Sequence, residues 1–187
     1  MIAGHLGIAL GVKSLRPSVP LGWLLVATVA PDMLDVSYAF ANICSSYGAY
    51  SHSLPAIVVI ATLMMAGAFA GTRSGAIAIV VGAVACSHVA MDWITGVKTL
   101  WPGGPVVGLY LYRWPAIDFL LELPLIVGGW WMLRRSRIAP RWAISGAALA
   151  LMLSGQATID AVIQFKWNFG TEPKSVCTLA GQPSYPH

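Results

Sequence analysis

Charged residues are scarce in this sequence. Only 10% of the 187 residues are Asp, Glu, Lys or Arg, whereas 57% are hydrophobic. Soluble domains carry about 25% charged residues, so this composition excludes an ordinary soluble protein. We therefore predict an all-α fold, a polytopic transmembrane helical bundle that sits in the lipid bilayer.

Cysteine is also rare, with three in the chain. Cys44 and Cys86 fall at or inside apolar runs, where a small apolar residue is the simpler interpretation. Cys177 falls in the polar C-terminal tail. A disulfide between Cys44 and Cys177 is conceivable, but one sequence does not decide it.

Long apolar runs set the number of membrane crossings, because about 20 apolar residues are needed for a hydrocarbon core of ~30 Å. Five runs qualify, the last being slightly short: residues 21–43, 54–71, 74–96, 143–165 and 116–133. Residues 2–12 are too few to span alone. We predict about five spans plus a short N-terminal helix, in a single transmembrane domain of residues 1–167. Residues 168–187, broken by Gly and Pro, form an irregular polar tail.

The basic residues divide unequally between the two sides of these spans. Seven Lys and Arg lie on the side of the LRRSRIAPR loop and four on the other side. The positive-inside rule makes the first side cytoplasmic and puts the N-terminus there. The same bias explains the net charge of +4, so no nucleic-acid partner is expected.

The few acidic residues are concentrated in the apolar segments, and only Glu172 lies clearly outside them. Ionisable residues at such depths are costly and by default mark a functional cavity. The SHVAMD stretch puts His88 and Asp92 one helical turn apart on one helix face. The VAPDMLD stretch puts Asp32 and Asp35 three residues apart in mid-span, where the preceding proline breaks a helical hydrogen bond.

Structural roles are the alternative for several of these groups. In one alternative the helix ends at Pro31, which leaves Asp32 and Asp35 as caps of a second helix. In another, His5 is structural, in a short helix that packs against others because a lipid-facing helix end would leave backbone groups unsatisfied. In YSHSLP a serine would simply cap the next helix, and Asp160 would pair with a nearby Lys or Arg.

Depth favours a metal site over these alternatives. His52, Asp118, Glu122 and Asp160 fall in the same outer half of the bundle as the SHVAMD pair, and His5 can reach that level. No comparable set of basic residues lies there to neutralise the carboxylates, so a bound divalent cation is the economical partner. Histidine with carboxylate suits Zn²⁺ best, and also Mn²⁺ or Fe²⁺.

The order of these motifs resembles the bacterial membrane-bound metal-dependent hydrolase-like proteins. The resemblance covers about residues 1–135 and rests on GH, an Asp-bearing first span, SHS, SHxxxD, an LWPGGP-like loop and a Glu-bearing span. It implies these metal ligands: His5, Asp32, His52, His88 and Asp92. Glu122 matches the acidic position of the later span. The sequence departs from the family at Tyr47 and Gly48, where many members carry His-Arg, and at Asp35, one residue later than in a PDxD motif.

The ligand pattern is similar to that of zinc-dependent phospholipase C enzymes, which implies phosphoester or lipid hydrolysis. We therefore expect a multi-pass protein of the bacterial inner membrane with a metal site open to the outer face. A bound ion would lower the pKa of a water toward about 7. Glu122 or Asp35 would be the general base or would orient a ligand histidine. The alternatives are a proton- or metal-coupled transport protein and a structural subunit whose metal staples helices; the oligomeric state is left open.

Overall fold

The structure, a computed structural model, describes residues 3–41, 43 and 45–168. These residues are mostly helical, as predicted. The helices are α1 (Ala3–Leu15), α2 (Leu21–Phe40), α3 (Leu54–Thr72), α4 (Gly75–Thr95), α5 (Pro115–Arg135) and α6 (Gly146–Asn168). Between α4 and α5 a short antiparallel hairpin pairs β1 (Lys98–Thr99) with β2 (Val106–Val107).

Three helices, α3, α4 and α5, are long and apolar enough to cross a membrane. This agrees with a membrane protein, but the predicted count of about five spans is not confirmed. In α2 the carboxylates of Asp32 and Asp35 lower the mean hydropathy, and the side chains of α6 are described only as far as Val162. The predicted tail beyond Asn168 and the Cys44–Cys177 pair lie outside the described residues, whereas Cys86 is an exposed free thiol.

Helix α1 is too short to span and is instead enclosed by its neighbours, chiefly α5 and α2. Two glycines allow its backbone to touch that of α5. A Cβ atom on Gly7 would lie 2.2 Å from the Leu125 carbonyl oxygen, and one on Gly129 would lie 1.9 Å from the Gly7 carbonyl oxygen. Small residues at helix contacts permit this close approach in membrane proteins.

The N-terminal end of α1 finds its hydrogen-bond partners inside the bundle. The Ala3 amide donates to Gln156 Oε1 at 3.1 Å, and the Gly4 amide donates to Glu122 Oε2 at 2.9 Å. Free amides at a helix start need such acceptors when no water reaches them. The expectation that this helix packs against others is confirmed, and His5 in its first turn is 1% exposed.

Helix α2 continues through Pro31, so the alternative in which a helix ends there is wrong. It packs against α4, which also packs against α3. Small and branched apolar residues fill the contact, including Leu24, Ala27, Ala61, Val81 and Ala85. The packing brings the carboxylate of Asp32 to His88 of α4, while that of Asp35 lies against Ser51 and His52 before α3.

The segment before α3 is tied to the hairpin. Ser53 caps α3, its side chain accepting a hydrogen bond from the Ala56 amide at 3.4 Å. The Leu54 amide donates to the Leu100 carbonyl at 2.9 Å. His52 is therefore held between the end of α2, the hairpin and α4.

Candidate metal centre

Four side chains converge where α2, α4 and the segment before α3 meet. They are Asp32, His52, His88 and Asp92, and one ligand atom from each lies within 4.8 Å of the others. His52 and His88 are fully buried and Asp92 is nearly so. The side chain of Asp32 is 28% exposed, so the group is reached from the α2 side.

Five of the six separations between these atoms are close to those around a tetrahedral ion. Nε2 of His52 lies 3.1 Å from Nε2 of His88. These two nitrogens lie 3.4 and 3.5 Å from Asp32 Oδ1 and 3.1 and 3.6 Å from Asp92 Oδ2. Ligands at about 2.0–2.1 Å from a tetrahedral Zn²⁺ are roughly 3.3–3.4 Å apart, and the five separations bracket this value.

The ring of His88 is oriented by a backbone carbonyl of α2. Its Nδ1–H donates to the Thr28 carbonyl oxygen at 2.6 Å. With Nδ1 protonated, the lone pair on Nε2 points at the other three ligands, as a metal-binding histidine requires.

The ring of His52 is oriented by a hydrogen-bond chain to Asp35. Its Nδ1 lies 2.7 Å from Ser51 Oγ and 3.2 Å from Asp35 Oδ2. The Ser51 hydroxyl in turn donates to Asp35 Oδ1. A carboxylate behind a ligand histidine fixes its tautomer and makes Nε2 more basic. The structure thus places Asp35 next to the site, behind a ligand.

The group attracts positive charge. Burial lowers the pKa of the His52 imidazole, but hydrogen bonds to Asp32, Asp35 and Asp92 outweigh burial and raise it to about 10. When both rings are neutral, two nitrogen lone pairs and two carboxylates face one another. A divalent cation at their centre satisfies all four at once.

His5, predicted as a ligand, contacts the site without joining the four. Its ring stacks on His88 with centroids 3.8 Å apart, and its Nε2 donates to Asp92 Oδ1 at 3.2 Å. It therefore holds the oxygen of Asp92 that faces away from the histidine pair, while Oδ2 faces inward. Direct ligation by His5 stays a prediction.

Glu122, predicted as a general base, lies in a second acidic cluster at the start of α1. Its carboxylate accepts the Gly4 amide, and it is close enough for its charge to act on Asp118, which also interacts with Asp160. Asp160 accepts a hydrogen bond from Gln156 Nε2 at 2.9 Å, and its predicted pairing with Lys166 or Arg113 stays a prediction. A catalytic role for Glu122 stays a prediction.

Sequence reasoning missed three groups at the site. Lys98 brings its ammonium within 3.4 Å of Asp92 Oδ2; the available signal was its position as the first basic residue after that aspartate. Ser51 was considered only as a helix cap. The Thr28 carbonyl left no signal beyond the nearby proline, because a backbone acceptor has no sequence identity.

The chain was compared with known protein families, characterised proteins and solved structures, and none matches. The family resemblance seen in the sequence therefore stays a prediction. The case for a metal centre rests on the geometry of the four side chains and their hydrogen-bond partners.

Proposed function

We propose that this chain is a membrane hydrolase that binds one divalent metal ion through Asp32, His52, His88 and Asp92 and cleaves a phosphoester or lipid-like ester. One observation carries the proposal. Two imidazole nitrogens and two carboxylate oxygens lie within 4.8 Å of one another in a chain with three described helices that are apolar enough to cross a membrane. Such groups inside a membrane protein are rarely without a function.

Zn²⁺ is the ion that the donor set favours. Two neutral imidazoles and two carboxylates at these separations suit a tetrahedral ion without geometric preference of its own. Mn²⁺ and Fe²⁺ accept the same donors, so availability in the cell contributes to the choice. Both histidines present Nε2 because Thr28 and the Ser51–Asp35 pair occupy Nδ1.

Access to the site supports hydrolysis over a purely structural ion. A catalytic metal needs a position for water or substrate, which an ion held by four protein ligands gains by expanding to five-coordinate, and the partly exposed Asp32 side chain leaves the site open to such a molecule. When bound, the ion would polarise the ester and lower the pKa of a water toward about 7. An opening within a helical membrane protein suits a substrate with a lipid-like part.

The surrounding residues have separable roles in this proposal. Asp35 orients His52, which is the second of the two roles predicted for it. His5 holds Asp92 so that Oδ2 faces the ion. Glu122 acts at a distance, because its bond to Gly4 fixes the helix that carries His5.

A second candidate is proton- or metal-coupled transport, and the acidic cluster of α5 and α6 favours it. Asp118 and Asp160 are buried, and their charges interact. Buried carboxylates within membrane helices mark proton relays in pumps and transporters. In this case the metal site would be a binding site along a transport pathway rather than a catalytic centre.

Metal content tests the site directly. The full chain is purified in detergent, and its metals are measured by elemental analysis beside Asp92→Ala and Asp160→Asn. We expect about one ion per chain in the wild type and in Asp160→Asn, which removes a buried carboxylate outside the four, and a large loss in Asp92→Ala. Equal metal content in the wild type and Asp92→Ala would refute the ligand set.

Activity separates the two candidates. Metal-loaded wild type and a folded His88→Ala variant are assayed against a soluble phosphodiester and a short-chain phospholipid. Hydrolysis by the wild type that is lost in His88→Ala supports the enzyme. Metal or proton flux in proteoliposomes without hydrolysis would refute the enzyme in favour of transport.

A further inference from the structure

Lys98 places an ammonium group at the edge of the metal centre. It is the first residue of β1, and its side chain is 18% exposed. Its Nζ lies 3.4 Å from Asp92 Oδ2, the oxygen that also faces His52 and His88. The ammonium therefore approaches the same atom that would hold the metal.

The hairpin holds Lys98 in this position. The Leu109 amide donates to the Trp93 carbonyl at 2.9 Å, and the Tyr110 amide donates to the Gly96 carbonyl at 3.2 Å. Gly108 has φ +137°, and a Cβ there would lie 2.1 Å from the Gly96 oxygen. The hairpin is thus packed closely onto the end of α4, so that the base of the Lys98 side chain is fixed over the site.

The shared oxygen sets the distance between the ammonium and the ion. A carboxylate oxygen lies about 2.0–2.2 Å from Zn²⁺, so Lys98 Nζ lies at most roughly 5.6 Å from the ion's position. A tetrahedral oxyanion bridges such a gap, with one oxygen on the ion and a second accepting a hydrogen bond from Nζ. Lysine commonly binds phosphate in this manner, as a point charge.

Charge balance indicates the same ligand. Asp32, Asp35 and Asp92 supply three negative charges, which a divalent ion and Lys98 together neutralise. Without the ammonium, the loaded site would be negative and would repel an anion. With it, a phosphate group meets a neutral site with two adjacent cationic contacts.

We propose that Lys98 is a substrate-binding residue that selects anionic phosphoesters by binding a phosphate oxygen beside the metal ion. The proposal rests on the proposed function and narrows its substrate class to esters that carry a charged phosphate. The same chemistry is present in a soluble phosphomonoester and in a phospholipid headgroup.

Phosphate binding by the metal-loaded protein tests this inference apart from catalysis. The full-length wild type, Lys98→Gln, Lys98→Arg and Arg113→Gln are loaded with Zn²⁺, freed of excess metal and titrated with inorganic phosphate by calorimetry. Arg113 is the matched control, because it is an exposed cation in the same segment between α4 and α5. Its guanidinium lies over the Trp114 ring. A second arm replaces phosphate with short-chain phosphatidic acid in detergent micelles.

We expect Lys98→Gln to keep its metal, because removing a neighbouring positive charge does not weaken the binding of a metal cation by the four ligands. Its affinity for phosphate, or for the phospholipid if only that source fits, falls about tenfold to a hundredfold. Lys98→Arg restores most of the affinity, and Arg113→Gln matches the wild type. Dependence on Lys98 in only one arm identifies the source of the phosphate.

Three results would overturn the inference: wild-type affinity for both phosphate sources in Lys98→Gln, no phosphate binding by the metal-loaded wild type, or loss of metal in Lys98→Gln. The last would show that Lys98 acts through Asp92. The proposed function fails separately, if the wild type binds metal and phosphate but hydrolyses neither phosphoesters nor neutral esters. Where hydrolysis is present, Lys98→Gln lowers kcat/KM for the phosphodiester and not for an uncharged ester.

Discussion

Asp35→Asn separates a carboxylate that binds metal from one that orients a ligand. Asp35 touches the site through His52 Nδ1 at 3.2 Å and through the Ser51 hydroxyl. The amide keeps the size of the side chain and an oxygen that accepts from Ser51. It removes the negative charge that holds His52 in the tautomer with a free Nε2, so metal binding weakens while the fold stays intact.

The structure sets the size of the effect. Loss of a carboxylate behind a ligand histidine typically costs 10- to 100-fold in metal affinity. The contact from Asp35 to His52 is at the long end of the hydrogen-bond range, and the Asp35 side chain is 33% exposed, so solvent screens its charge. We therefore expect the lower end, about tenfold, or about 1.4 kcal/mol.

Competition with a chromophoric chelator measures the Zn²⁺ affinity of the wild type, Asp35→Asn and Asp32→Asn. Asp32 is proposed as a direct ligand. Its variant therefore loses about 100-fold or more in Zn²⁺ affinity, because a carboxylate that contacts the ion is replaced by a neutral amide. A wild-type affinity in Asp35→Asn would refute the orienting role. A loss equal to that of Asp32→Asn would show that Asp35 binds the ion directly.

Three further predictions concern packing and metal removal. Gly129→Ala forces a Cβ into the backbone of α1 and lowers the free energy of unfolding by about 2–3 kcal/mol, which thermal unfolding shows as a fall of roughly 4–12 °C in Tm. Gly128→Ala, with open space around it, leaves Tm unchanged. Gly48→Ala places a Cβ 3.0 Å from His52 Nδ1 and weakens Zn²⁺ binding about tenfold in the chelator assay. Gly103→Ala, at a similar positive φ but in open space, keeps wild-type affinity, and equal losses in both would refute the contact. The wild-type Tm is roughly 5–10 °C lower in the presence of a chelator than in saturating metal, because bound metal stabilises the folded state. The Tm of a variant that binds no metal is the same in both conditions.

The part of the site set by local geometry was predictable from the sequence. His88 and Asp92 share a face because four residues make about one helical turn, and Nε2 of the first lies 3.6 Å from Oδ2 of the second. The approach of Asp32 and His52 followed from the cost of leaving polar groups in apolar surroundings. The depth argument also gathered Asp118, Glu122 and Asp160, which lie outside the group, and the ligand set itself came from the family resemblance, with His5 as a fifth member.

The remaining features depend on tertiary packing, which no spacing encodes. The contact between Gly7 and Gly129 sets the depth of α1 and hence places His5 against Asp92 rather than among the four ligands. Lys98 reaches the site because the hairpin turns back onto α4. The number of spans stays a prediction, because α3, α4 and α5 are apolar enough to cross a membrane whereas Asp32 and Asp35 lower the hydropathy of α2.

X-ray absorption at the zinc edge of the purified, metal-loaded protein tests the metal centre most directly. We expect two imidazole nitrogens and two carboxylate oxygens at about 2.0–2.2 Å, and one imidazole fewer in both His52→Ala and His88→Ala. His5→Ala keeps both imidazoles, because it contacts Asp92 and not the ion. A spectrum with sulfur ligands, or one unchanged in both His52→Ala and His88→Ala, would contradict the proposed centre.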